Sequence, residues 1–138
     1  MRLVWIAVLT WFAIAVPSIG QEALPRSSGI ENTIQSQIDA FQVDDFEKAF
    51  TFASPNIRTL FGNSDRFGSM VRNGYPMVWR PSELRFLELR EIAGNLWQKI
   101  LVRDTNGNIH LLDYQMIQTD DGWRINGVQL LRAPDVGA

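Results

Sequence analysis

The sequence has no cysteine, one histidine (His110) and no run of basic residues. Without cysteine there is no disulfide, no thiolate metal site and no lipidated cysteine anchor. One histidine cannot build a metal site. Its nearest acidic neighbour, Asp113, has the opposite strand parity, so the two would not converge on an ion. No metal and no cofactor are therefore expected. Without a basic stretch there is no electrostatic footprint for nucleic acid. Ser/His/Asp triads, glycine-rich phosphate loops, internal repeats and low-complexity segments are also missing.

A long apolar run is lacking as well. From Leu3 to Val16 the chain is largely apolar for about 14 residues, against the ~20 that a spanning helix needs. Arg2 precedes this run, Pro17 ends it, and Ser18-Ile19-Gly20 supplies small residues at the exit. These are the parts of a secretory signal peptide. The expectation is cleavage after Gly20, with Ala23 as the alternative, and a secreted or periplasmic product; an uncleaved segment would be the only membrane attachment.

The 138 residues fit one domain; of the five Trp and eight Phe, three and seven lie beyond the signal segment and supply bulk for its core. Counted from Gln21, twelve Lys and Arg, ten of them Arg, face fifteen Asp and Glu. These interspersed charges fit a soluble surface. The expected organisation is a signal segment (1–20), a polar linker (21–27), an α+β domain (28–133) and a loose tail (134–138).

Ser28 and Glu31 have capping-box spacing, and Ile30, Ile34, Ile38 and Phe41 form one face of a helix over 29–42. Asp44 opens a second helix with Phe46, Ala49, Phe50 and Ala53 inward. Ser54-Pro55 starts a third, with Ile57, Leu60 and Phe61 inward and Gly62 as its left-handed cap. A fourth runs from about Asp65 to Asn73-Gly74, which reads as a helix stop. The "YPMVWRP" segment reads as a connector with a short edge strand.

Strand patterns follow. "ELRFLELREI" alternates imperfectly, which fits a bulge or a strand buried on both faces, with a helix as the alternative. Runs 96–104 and 108–118 flank Asn106-Gly107, a hairpin turn, and "TDDG" (119–122) is another turn. In the last strand, Trp123 and Ile125 have one parity and Val128 and Leu130 the other. One extra residue at Asn126-Gly127, as a bulge with glycine in the left-handed conformation, would put all four on one face. The sum is α+β: N-terminal helices packed on a curved antiparallel sheet of about four strands.

In this order of elements, "DDFEKAFTFASPNIRTLFG", "FGSMVRNGYPMVWRP", "LRFLELRE", "LVRDTNG" and "DYQMIQTDDGWRINGVQLLR" resemble a bacterial exported family known only as a domain of unknown function. More broadly the chain resembles the nuclear transport factor two-like (SnoaL-like, cystatin-like) cone fold. The resemblance implies a fold, a pocket between helices and sheet, and dimerisation through the outer sheet face. It brings no catalytic residues, and fold alone does not decide function.

Within such a pocket the acid–base candidates are Tyr114, His110 and Asp39. Tyr114 shares parity with Leu112, Met116 and His110, and its hydroxyl would be a donor. A buried Tyr that only reaches a backbone partner is the plain alternative. Arg80 and Arg85 are candidate anion ligands, or else ion-pair partners of Glu83, Glu88 or Glu91. Tyr75 and Trp79 line the pocket or pack as core or lid. The expected function is non-catalytic binding of a small hydrophobic ligand or a protein partner. The alternative is an isomerase- or dehydratase-type enzyme using the three acid–base candidates.

Overall fold

The computed structural model describes residues 23–132. The signal segment and the C-terminal tail expected from the sequence lie outside them. Among the described residues the fold is α+β, with five helices and a five-stranded antiparallel sheet in the order β1-β2-β3-β4-β5.

The fifth strand corrects the expectation of about four. Ala23–Leu24 (β1) lies in the stretch read as a linker, yet pairs with Arg90 and Leu89 at the sheet edge. Backbone pairing needs no side-chain pattern, so a two-residue strand leaves no periodicity to read.

Helix α1 (Ser28–Gln42) buries Ile30, Ile34, Ile38 and Phe41, as their spacing requires. Its cap is Ser27, one residue before the expected Ser28: Ser27 Oγ accepts from the Ile30 amide at 3.3 Å. Glu31 is held by Arg26, at 2.6 and 3.1 Å, instead of closing a capping box. Helix α2 (Phe46–Thr51) is likewise capped by Asp45, not Asp44. Helix α3 (Pro55–Phe61) begins at the Ser54 cap and stops at Gly62, φ 83°. Helix α4 (Ser64–Gly74) runs through Asn73-Gly74 without a left-handed residue. The stop comes from Pro76, which cannot continue the ladder and draws Tyr75 out of the helical region. Residues Pro76–Trp79 form one more turn, α5, in place of the expected edge strand.

Strands β2 (Glu83–Ile92), β3 (Asn95–Arg103), β4 (Ile109–Thr119) and β5 (Gly122–Leu131) form a meander. Two bulges keep its inner face apolar. In β2 the register slips between Phe86, opposite Ile100, and Leu89, opposite Gln98, which returns Leu89 to the face of Leu84 and Phe86. In β5 Ile125 lies opposite Met116 and Gly127 opposite Gln115, so Asn126 is the extra residue. Val128 and Leu130 then meet Tyr114 and Leu112, on the same face as Trp123 and Ile125. The bulge is thus where the parity break placed it, but Gly127 is not left-handed.

The helical layer covers this inner face. Gly29 in the first turn of α1 approaches the Trp123 indole so closely that a Cβ there would lie 2.7 Å from the ring. Phe67 of α4 is the centre of an aromatic cluster, with the rings of Phe41, Phe50 and Phe61 at 5.9, 5.3 and 5.7 Å. Such a core side chain contributes about 3–5 kcal/mol relative to Ala.

Candidate functional site

Between the helices and the inner face of the sheet lies a cavity of about 360 Å³. This is within the size range of small-molecule pockets. Helix α1 contributes Gln37 and Phe41, and α4 contributes Phe67, Met70 and Val71. Tyr75 and Val78 follow from the α4–α5 junction. The sheet supplies Tyr114 from β4 and Ile125, Gly127 and Val128 from β5. The third wall is α3, with Ile57, Leu60 and Phe61. None of the α3 residues is fully buried, and Leu60, expected to face inward, is 74% exposed. The α3 wall is therefore thin, and Leu60 stands at the rim.

Among the described residues, two side chains with neutral polar groups and almost no exposure reach this cavity. Tyr114 is 1% exposed, and burial pushes its phenol pKa far up, with Tyr75 adding to the effect. A phenol is neutral at physiological pH even at its ordinary pKa, and burial only reinforces this, so Tyr114 offers a hydrogen-bond donor and is a poor proton acceptor. Tyr75 donates to the Val128 carbonyl at 3.4 Å, a long bond at the cavity edge. Gln37 is 3% exposed and donates from Nε2 to the Ala49 carbonyl at 3.2 Å.

The other acid–base candidates are elsewhere. His110 shares the inner face but sits near the β3–β4 hairpin, where Nε2 meets Asp104 Oδ2 at 2.9 Å. Asp39 is exposed on α1 and accepts from Gln35 Nε2 at 2.9 Å. Neither lines the cavity, so the structure does not bring Tyr114, His110 and Asp39 together. Among the described residues no three His, Cys, Asp or Glu side chains cluster as a metal site.

Of the four ligand-binding candidates, Tyr75 alone lines the cavity. Arg80 donates to Asp44 at 2.9 Å and to the Phe41 carbonyl at 2.8 Å, and lies 4.4 Å over the Trp79 ring. The Trp79 indole donates to the same Asp44 at 2.8 Å. These two bonds hold the Asp44 carboxyl below the usual range, that from Trp79 having the larger effect. Arg85 pairs with Glu83 at 2.8 Å, the ion pair foreseen as its alternative role. These arginines brace the α1–α5 corner and the sheet edge.

A family model described as Domain of unknown function (DUF4864) matches residues 23–138. The chain belongs to this family. No curated protein and no solved structure matches it. For this DUF4864 chain the cavity is thus read from its own walls. Gln37 is the wall residue that the sequence reading passed over. The signal was present: position 37 is three residues after Ile34 and four before Phe41, which places a polar amide inside the apolar stripe of α1.

Proposed function

We propose that this protein binds a small, largely apolar molecule in the cavity between its helices and its sheet. The observation that supports this is the cavity itself, about 360 Å³ with almost wholly apolar walls. Native cores are packed with few voids larger than a water molecule. A space of this size is normal for a ligand site and costly for a core that only has to be stable. Binding is favoured over catalysis because no carboxylate, imidazole or ammonium shares the described wall with Tyr114. Helices on one face of a bulged antiparallel meander also support a SnoaL-like cone. The basic start, apolar run and small-residue exit of 1–20 support an exported protein processed after Gly20.

The test uses the neutral fluorophore N-phenyl-1-naphthylamine. Wild type should give a blue-shifted, enhanced and saturable signal. A ligand of this size gaining about 0.5 kcal/mol per non-hydrogen atom has a Kd on the order of micromolar. Ile57→Trp on α3 should lower the affinity at least ten-fold while its unfolding midpoint stays near that of wild type. The absence of a saturable signal with wild type would overturn the proposal.

A further inference from the structure

The cavity wall carries two polar atoms that have no partner among the described residues. The Gln37 amide is oriented by its bond to Ala49: a carbonyl accepts only from the NH₂ side, so Nε2 faces Ala49 and Oε1 turns away. Among the described residues nothing donates to Oε1, and the Tyr114 hydroxyl takes part in no side-chain hydrogen bond. Both residues are more than nine-tenths buried and both line the cavity, so the cavity is where these atoms can meet a partner. Buried polar groups left unpaired are costly, so such a pair marks where a ligand completes the hydrogen bonding.

The chemistry of the pair defines the ligand. Oε1 of Gln37 only accepts. The Tyr114 phenol, protonated at neutral pH, can donate. No described cavity-wall side chain carries a formal charge to balance one on the ligand, and an unpaired charge in an apolar site is strongly disfavoured. We infer that the ligand is an apolar body bearing one neutral head group that donates to Gln37 Oε1 and accepts from the Tyr114 hydroxyl: an alcohol, a phenol or a carboxamide, and not a carboxylate or an amine. This inference rests on the binding function proposed above and specifies its polar end.

Four naphthalenes of similar shape separate the two ideas: 2-naphthol, 2-methoxynaphthalene, naphthalene and 2-naphthoate. Their affinities for wild type are read by displacement of N-phenyl-1-naphthylamine. Each well-made hydrogen bond is expected to contribute about five-fold. The expected order is 2-naphthol, then 2-methoxynaphthalene, then naphthalene, with 2-naphthoate weakest. Tyr114→Phe removes a hydroxyl with no partner among the described residues, so it should leave stability intact and weaken 2-naphthol and 2-methoxynaphthalene alike. Gln37→Met removes the acceptor and should abolish the advantage of 2-naphthol over 2-methoxynaphthalene. If that variant unfolds, the Tyr114→Phe series still decides. Equal binding of naphthalene and 2-naphthol, or tighter binding of 2-naphthoate, would overturn the head-group inference and leave the cavity as a ligand site. If the fluorophore itself does not bind, the binding function falls first.

Discussion

Ser54 Oγ donates to Asn126 Oδ1 at 2.7 Å, which fastens the start of α3 to the bulge of β5. The same Oγ accepts from the Ile57 amide at 3.2 Å as the helix cap. Backbone bonds reinforce the joint: Ser54 N to Ile125 O at 2.8 Å and Ile125 N to Phe52 O at 2.9 Å. Asn126 Nδ2 continues to Gln115 Oε1 at 3.3 Å. Because Ser54 is fully buried, Ser54→Ala loses a cap and takes the donor from the half-buried Asn126 Oδ1. The expected cost is about 1–3 kcal/mol. Urea unfolding of Ser54→Ala, Asn126→Ala and the double variant should show a coupling of about 0.5–1.5 kcal/mol. Strictly additive losses would show that the 2.7 Å contact is not an energetic link.

Two glycines should respond oppositely to alanine. Gly62 ends α3 at φ 83°, a conformation that disfavours a Cβ. Gly127, although beside a bulge, has no positive φ, and an added Cβ would meet only Gln115 Oε1 at an ordinary 3.6 Å. Gly62→Ala should cost about 1 kcal/mol. Gly127→Ala should change stability by less than that, or raise it by about 0.4–1 kcal/mol through the unfolded chain. Thermal midpoints decide. A loss at Gly127 equal to that at Gly62 would mean that the bulge needs glycine after all.

What could be read in advance depended on whether a feature leaves a side-chain pattern. The stripe of α1, the Ser54-Pro55 start and the Gly62 stop are local signals, and each is where the sequence puts it. Both bulges were legible as parity breaks, and each has an amide beside it. Gln98 Nε2 reaches the Leu87 carbonyl at 3.0 Å in β2, and Asn126 is the extra residue in β5. Other features left no such trace. The β2–β3 hairpin turns on Ala93-Gly94, with Ala93 at φ 51°, a residue that gives no turn signal. Edge strand β1 is two residues of backbone pairing. The site was half legible: Tyr114 and Tyr75 follow from position, whereas Gln37 needed the cavity to show why a polar residue sits in an apolar stripe. The roles of Arg80 and Arg85 depended on which carboxylates folding brings near, a long-range outcome that spacing cannot supply.

On the outer face of the sheet Arg90 and Asp113 form a two-point ion pair across β3, at 2.6 and 2.7 Å. They are 4% and 5% exposed. The bond to Asp113 raises the Arg90 pKa further. Removing one partner strands a buried charge, so Asp113→Ala should cost about 3–5 kcal/mol. Replacing both, as Arg90→Met with Asp113→Leu, should recover most of that loss, because desolvation offsets much of the attraction in the intact pair. Chemical denaturation of the three proteins tests this. A double variant as unstable as Asp113→Ala would indicate that the pair contributes more than its own desolvation cost.

Asp104 closes the β3–β4 turn, and its pH dependence has a fixed sign. Its Oδ1 accepts from the Asn106 and Asn108 amides at 2.9 Å each, and Oδ2 meets His110. The His110 bond is the larger cause of a carboxyl pKa held below its usual value, with the backbone bonds adding to it. A carboxyl with a depressed folded-state pKa binds fewer protons in the folded than in the unfolded chain. It therefore stabilises the fold above the unfolded value of about 3.9, and that contribution fades as pH falls through the lower folded value. Asp104→Asn keeps an oxygen for the turn amides but cannot ionise. Urea midpoints measured between pH 2 and 5 should show wild type ahead at the upper end, with the two proteins converging towards the lower end. The pair is partly exposed, so added salt should shrink the gap. A gap that stays constant across this range would show that Asp104 acts through its shape in the turn and not through its charge.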